Sequence, residues 1–298
     1  MMISVIITTR NRAALLRQAI DSVLQQEPCG ADVELIVVDD GSTDDTPAVV
    51  SSYGTVRYLP TRQGTSAGSR NVGLENAGGE WIAFLDDDDV WLPQKLRKCA
   101  EVISANPGAR FLFSGAIISG YDLDEQWAFN GPDLAGHRTL YDAFLDHIPL
   151  PSTVLMHREI FDKLGRFDTS LGWADDRDMW MRVASSGIEC SAVPEPLVLY
   201  RVDDAVFRWR QVGEQLARRR YAATMKVLRR YFAPGMPMRP SWRRRQQVLW
   251  RVRGWHAYQL IEAARQAQAE KRGALAWRLR RTAFSISPLH AVKNWLAT

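Results

Sequence analysis

Four consecutive carboxylates, Asp86-Asp87-Asp88-Asp89, follow directly on the apolar run Trp81 to Leu85. Adjacent anions repel one another, so gathering them at the mouth of a strand costs free energy that a cation would offset. Hard carboxylate oxygens suit Mg2+ or Mn2+, and Mg2+ is commonly shared between one or two carboxylates and the phosphates of a substrate. A solvated acidic turn is the plainer reading of the same residues. A second acidic group, Asp175-Asp176-Arg177-Asp178, opens a helix-like stretch. A carboxylate there can take a proton from a hydroxyl, or merely complement the helix dipole. Between the two groups, the small residues Gly64 to Gly73 open a helix whose N-terminus could face an anion, with Arg70 about one turn inside. This stretch has no Gly-Lys-Ser/Thr ending and is not a P-loop.

These groups must be held by regular elements, and the pattern supplies them. Ile3 to Thr9 reads as a buried first strand and Val33 to Val38 as a second, ending in Asp39-Asp40-Gly41-Ser42. Leu15, Leu16, Ala19, Ile20, Val23 and Leu24 recur at helical spacing, with Asn11 placed to cap that helix. A short helix from about Asp44 to Tyr53 and a strand over Val56 to Leu59 follow. Strand, helix, strand, helix, strand is the mark of a doubly wound parallel sheet, which binds ligands beyond the carboxyl ends of its strands. Thr8-Thr9, Asp39-Asp40 and Asp86 to Asp89 each sit at such an end and are predicted to share one crevice. Beyond the acidic run, Pro93 leads into a helix with Leu96, Cys99, Ala100 and Ile103 inward, and Phe111 to Ser114 reads as a further strand. The stretch Tyr121 to Leu134 is polar and irregular. Asp142, His147 and His157 receive no role.

In order and spacing, SVIITTRNRAALLRQAIDSVL, VELIVVDDGSTDDT, GTSAGSRNVGLENAGGEWIAFLDDDDVWLPQKL and FDTSLGWADDRDMWMRVA resemble the inverting family 2 glycosyltransferases. The resemblance implies an α/β chain of GT-A fold (a Rossmann-like, mostly parallel central sheet), a nucleotide-sugar donor with a UDP-sugar favoured, and Mn2+ or Mg2+. It maps the base contact onto Asp40, with Asp39 adjacent, and the strand-one threonine onto Thr8 or Thr9. Arg70 matches the family's Arg-Asn arginine and would support base or phosphate. The Asp-x-Asp element falls on Asp86 to Asp88, with the metal on Asp88 and Asp86 and the ribose on Asp87. Pro151 to Leu155 is similar to the segment that approaches the acceptor, and the stretch Tyr121 to Leu134 is a further candidate for the acceptor side. The Glu-Asp-x-Asp element matches Asp175 to Asp178, with Asp175 replacing the usual Glu; Asp176 is the base, Asp175 the runner-up and Asp178 a structural or substrate-orienting neighbour. Two departures stand out. Arg10 replaces a frequent aromatic in the nucleotide-binding loop. After Tyr200-Arg201-Val202 the usual His gives way to Asp203-Asp204, leaving Asp203, or donor phosphates and water, to complete the metal shell.

Composition frames the rest. Of the 298 residues, 1–200 carry 16 Lys+Arg against 29 Asp+Glu, while 201–298 carry 22 against 5. The two parts therefore meet different partners, or each other. A division into a nucleotide-sugar transferase domain, 1–205, and a basic Arg/Trp-rich helical region, 206–298, follows. In that region Arg208 to Tyr231 and Trp242 to Phe284 carry helical periodicity, separated by Pro234, Pro237 and Pro240. Val248, Leu249, Val252, Trp255, Leu260, Ala263 and Ala264 form one face of the second stretch. Arg with Trp on such helices suits peripheral contact with an anionic membrane, and packing on the catalytic domain is the alternative. Nucleic acid ranks last, because no reader motif accompanies the basic runs. Cys29, Cys99 and Cys190 are sparse and without metal-ligand spacing, the apolar run at the N-terminus is short for a signal peptide, and no stretch is long enough to span a bilayer. Together these point to a cytoplasmic chain that can rest on the inner face of a membrane. The expected activity is transfer of a sugar to a saccharide or glycolipid hydroxyl in surface polysaccharide or glycolipid synthesis. The alternatives are a polyprenyl-phosphate acceptor and a catalytically silent GT-A scaffold.

Overall fold

The computed structural model describes residues 1–120, 123, 126–129, 139–201, 205–236 and 238–296. Asp203 and most of the stretch expected on the acceptor side lie outside the described residues. The chain forms two compact units, Met1–Arg201 and Val202–Thr298.

The first unit opens with β1 (Met2–Thr9), α1 (Ala13–Leu24), β2 (Asp32–Asp39), α2 (Thr46–Ser51), β3 (Val56–Pro60), α3 (Ser66–Asn76) and β4 (Trp81–Asp86). It continues with β5 (Val90–Trp91), α4 (Lys95–Ala105), β6 (Phe111–Ser119), β7 (Gln126–Phe129) and α5 (Leu140–Asp146). Then come β8 (Val154–His157), α6 (Glu159–Leu164), α7 (Asp175–Ser185) and β9 (Cys190–Arg201). The strands make one sheet in the order β3-β2-β1-β4-β8-β6-β9-β5, with β7 on β6. β1 to β4 are parallel to one another, as the alternation of apolar runs and helices predicts. β8 then runs antiparallel to β4 and to β6, and β9 runs parallel to β6. The sheet is therefore mixed in its second half, where non-local pairing replaces the local crossover unit.

Ile3, Val5, Ile7, Leu35, Val37, Ala83 and Leu85 are buried, and with Leu16, Ala19 and Ile20 of α1 they build the larger core. Both faces of β1 are covered, which is why its sequence is mostly apolar, and the buried Ser4 within it is bonded to Glu34 and Gly79. On the other face, Gly73 lets α3 lie against β1, since a Cβ there would come within 2.5 Å of Ile6 Cγ2. At 47% exposure, Leu24 lies outside the α1 core face it was expected to join.

The second unit holds α8 (Ala205–Tyr231), α9 (Trp242–Ala269), α10 (Gly273–Ile286) and α11 (Pro288–Leu296). Its core is rich in alanine: Ala217, Ala257, Ala263, Ala264, Ala267, Ala276, Ala283 and Ala291 pack with Leu260, Ile261, Leu275 and Leu279. The helix expected over Trp242 to Phe284 is broken at Lys271, which takes a left-handed conformation (φ +60°). Trp255 departs from the expected inward face and is 60% exposed, because burial on α9 shifts around the helix along its length. Among the described residues no helix is long and apolar enough to cross a membrane.

Candidate active site

The crevice forms where parallel strands end together. Thr9 is level with Asp39 on β2, and Thr8 with Asp86 on β4. Asp40 N–H donates to the Thr9 carbonyl (2.9 Å), which closes the β1 and β2 ends against each other. Asn11 is not the helix cap. It adopts φ +54°, a conformation Asn tolerates, and accepts from Thr43 N–H through Oδ1 (2.7 Å), while its own N–H donates to Ser42 Oγ. The first turn of α1 is capped from a distance, by Asp44 Oδ2 accepting from Ala13 N–H at 3.0 Å.

Of the two carboxylates at the end of β2, Asp39 points inward. It is buried, accepts from Tyr58 OH (2.6 Å) and Ser42 N–H (2.9 Å), and so fixes the loop. Burial and then Asp39 push the Tyr58 phenol upward, keeping it a donor. Asp40 is only partly covered; its Oδ1 accepts from Gln63 and Gly64 N–H ahead of α3. Arg10 is exposed.

The acidic run turns sharply, with Asp89 N–H donating to the Asp86 carbonyl at 3.1 Å. Thr9 Oγ1 donates to Asp87 Oδ2 (2.8 Å). Arg12 Nη1 bridges Asp87 Oδ1 (2.7 Å) and Asp88 Oδ2 (2.8 Å). Ser152 Oγ accepts from Asp86 N–H (3.0 Å) and donates to Asp89 Oδ2. Behind Ser152, the fully buried Lys95 donates to the Thr153 carbonyl (3.1 Å), and Trp91 Nε1 to that of Ser152 (2.9 Å). From β9, Arg201 donates its N–H to Asp89 Oδ1 (3.0 Å) and its Nε–H to the Asp88 carbonyl (2.8 Å). Thr9 of β1, Arg201 of β9 and the connecting-segment residues Arg12 and Ser152 thus hold this turn.

Arg70 is buried and joins the two acidic groups, donating to Asp86 Oδ1 (2.9 Å) and Asp175 Oδ2 (2.8 Å) and lying 5.7 Å from the Phe167 ring. Burial alone would lower its pKa, but Asp175, Asp86 and Asp176 raise it, so it stays charged. Ala174, at φ +61°, turns the chain into α7. Asp178 is fully buried and pairs with Arg182 (3.0 Å), a structural use. Asp175 is taken by Arg70. Among the described residues, Asp176 accepts only the N–H of Arg177 (2.7 Å). Burial, then the neighbouring Asp175, raises its pKa.

Burial likewise raises Asp86, Asp89 and, to about 6, Asp87, in each case against a partly offsetting positive or hydrogen-bonding neighbour. Burial, then Asp89, Asp86, Asp88 and Asp176, push up the phenol of Tyr200, which precedes Arg201 on β9. Among the described residues, Asp86 to Asp89, Asp175 and Asp176 face the guanidinium groups of Arg12, Arg70 and Arg201, so negative charge is in excess there. That excess, and the upward shifts it helps produce, suit a divalent cation. Among the described residues no three carboxylate, imidazole or thiol side chains form a ready cage, so an ion here would draw its remaining ligands from substrate phosphate and water.

Residues 4–165 match the family model described as Glycosyl transferase family 2. An uncharacterised glycosyltransferase of Rickettsia typhi is 31% identical over 218 residues, 68% of this chain and 65% of its own length. The chain therefore spans just under two thirds of that relative. Succinoglycan biosynthesis protein ExoO of Rhizobium meliloti is 29% identical over 265 residues, 81% of this chain and 72% of its own. Among solved structures, S. aureus TarS 1–349 in complex with UDP-GlcNAc aligns with a TM-score of 0.63 at 18% identity, covering 100% of this chain and 93% of that one. Mannosyltransferase PcManGT from Pyrobaculum calidifontis, in complex with GDP-Man and Mn2+, aligns at 0.62 and 20% identity, covering 98% and 86%. These two alignments identify the fold as the GT-A type.

Proposed function

Because the chain belongs to glycosyl transferase family 2, we propose that it transfers a sugar, with inversion, from a nucleotide-diphosphate sugar to a hydroxyl of a saccharide or glycolipid, on the cytoplasmic side of a membrane. The observation that carries this reading is the excess of carboxylates at the rim of the parallel strands, held in place by Thr9, Arg12, Ser152, Arg70 and Arg201. A UDP-sugar is the favoured donor and surface polysaccharide the favoured product class. The complexes of TarS with UDP-GlcNAc and the name of ExoO support those finer assignments.

In this reading Asp40, the less buried of the β2 pair, receives the base, while Asp39 holds the loop that presents it. Thr8, Thr9 and Arg10 line the nucleotide side and Asp87 takes the ribose. Asp88 and Asp86 would hold Mn2+ or Mg2+ together with diphosphate oxygens, and the bound ion supplies positive charge where the leaving diphosphate becomes more negative. Arg70 positions Asp86 and Asp175 relative to each other. Asp176 takes the proton of the acceptor hydroxyl. The acceptor oxygen then forms its bond to the anomeric carbon as the bond to the diphosphate breaks on the opposite face. Asp176 fits that role better than Asp175, whose charge Arg70 already holds, and burial with the neighbouring Asp175 raises the Asp176 pKa, which strengthens it as a base.

Calorimetry with UDP-sugars and GDP-sugars, in Mn2+ and in EDTA, tests this. Binding of a UDP-sugar that EDTA weakens is expected. Equal binding with and without the ion removes the metal assignment, and no binding of any nucleotide sugar overturns the function.

A further inference from the structure

Arg12 bridges the carboxylate assigned to the ribose and one of those assigned to the ion. Its Nη1 donates to Asp87 Oδ1 at 2.7 Å and to Asp88 Oδ2 at 2.8 Å. A guanidinium commonly meets a carboxylate through two nitrogens in a fork. Here one nitrogen serves oxygens of two residues, as a small cation would. The acidic turn has other supports. Thr9 Oγ1 holds the second oxygen of Asp87, Arg201 Nε–H the Asp88 carbonyl, and Ser152 both the Asp86 N–H and Asp89 Oδ2. Nor is Arg12 enclosed as the other two guanidinium groups are. Arg70 and Arg201 are buried, whereas the Arg12 side chain is 33% exposed. Its backbone is fixed: Asn11 and Ala13 on either side are bonded to Ser42, Thr43 and Asp44, and the Arg12 carbonyl accepts from Leu16 N–H at 2.9 Å. Release of this charge is therefore a matter of side-chain torsions, and water or an incoming anion can meet it.

Electrostatics then sets an order of binding. A divalent ion on Asp88 would meet a like charge already paired with the same carboxylate, and the two cations oppose each other. A diphosphate reverses that balance, because it brings negative charge enough to pair with an ion and a guanidinium together. Resting on the reading that Asp88 is an ion ligand and that the donor is a nucleoside diphosphate sugar, we infer that Arg12 competes with the divalent ion for Asp88 and gives way when a diphosphate enters. Arg12 thereby couples the two binding events, so that ion and donor bind together rather than the ion first. The same residue keeps Asp87 and Asp88 paired until the donor arrives and then turns its charge to the diphosphate. The plainer role, a brace that holds Asp88 ready for the ion, predicts the opposite sign when the guanidinium is removed: a brace lost weakens the ion, a competitor lost tightens it.

The test titrates Mn2+ into the full chain with and without UDP, read by electron paramagnetic resonance of the free ion and by calorimetry. Mixtures of UDP and Mn2+ without protein set the baseline. For wild type, UDP is expected to tighten the ion about tenfold, and by linkage the ion tightens UDP by the same factor. Uridine, which carries no diphosphate, should leave the ion's affinity unchanged. Arg12→Gln should tighten Mn2+ in the absence of UDP about fivefold, the scale of one partly exposed ion pair that no longer has to be given up. The gain produced by UDP then shrinks by the same factor. Arg12→Lys keeps the charge and should keep the weaker ion binding of wild type. Circular dichroism confirms that each variant is folded. Mn2+ affinity that is unchanged or lowered in Arg12→Gln makes Arg12 a brace and overturns the inference, as does a gain in Arg12→Lys equal to that in Arg12→Gln. Wild type that takes up no ion even with UDP overturns the metal reading beneath it, a result distinct from the other two. None of these readouts uses transferase activity.

Discussion

Replacing Arg70 by Met retains most of its volume and removes the charge that Asp86 and Asp175 share. The guanidinium is 6% exposed, Asp175 7% and Asp86 28%. Breaking a buried ion pair by removing one partner costs about 3–5 kcal/mol, because the remaining charge stays out of water. Asp86 keeps some solvent, so the lower end, about 3 kcal/mol, is expected near neutral pH. The loss should depend on pH. Burial already raises the Asp86 carboxyl above 3.8 and Arg70 opposes that shift, so without Arg70 it rises further. Between the unfolded and folded pKa values the folded protein then binds more protons than the unfolded one, and stability falls as pH rises. The penalty is therefore largest above the raised folded pKa and shrinks as pH falls toward the unfolded value. Urea denaturation of wild type, Arg70→Met and Arg70→Lys near neutral pH and at about pH 5 measures it. The Lys variant keeps the charge and should lose the pH dependence but not all of the stability. A loss under about 1 kcal/mol, the scale of an exposed pair, or one equal at both pH values, would refute the argument.

Other perturbations read different parts of the site. Asp176→Asn should leave nucleotide-sugar affinity unchanged in calorimetry and lower turnover by about 10²–10⁴, the usual contribution of a general base; retained turnover would place the base elsewhere. Asp88→Ala should abolish the metal-dependent component of UDP binding, and unchanged binding would exclude Asp88 as a ligand. Asp87, raised to about 6 chiefly by burial, makes the folded protein lose stability as pH climbs from about 4 to about 6, a contribution on the order of 3 kcal/mol. Asp87→Asn should flatten that part of the stability profile recorded in EDTA, and an unaltered slope would remove the group from the account. Gly73→Ala should cost about 1–3 kcal/mol in thermal or urea unfolding, since its methyl group would meet Ile6 on β1.

Much of the first half of the sheet was legible because its signals are local. Val5 to Ile7 and Leu35 to Val38 are unbroken apolar runs, and the intervening helix announces itself by spacing. The second half was not, since β8 pairs with β4 and β6, and β9 with β5 and β6, across stretches that no periodicity links. The same division runs through the site. Asp86 to Asp89 and Asp175 to Asp178 are visible as clusters of one residue type. Arg12 meets Asp87 from 75 positions away, and the Arg201 side chain reaches the Asp88 carbonyl from 113. Arg12 did leave a trace: it follows Asn11 in the loop beyond the carboxyl end of β1, where a cation can reach the crevice. Nothing local marks Ser152 as a neighbour of the acidic turn, and the Tyr200-Arg201 pair was tied to it by the family resemblance alone.

Asn11 and Asp44 tie the loop after β1 to the loop after β2 by reciprocal bonds, one using backbone N–H of Thr43 and the other that of Ala13. Neither loop is thus an independent cassette. Grafting the second loop from a relative in order to alter nucleobase preference would strand the Asn11 amide and uncap the helix behind it. A workable exchange has to carry both segments, together with the Tyr58 hydroxyl that anchors Asp39.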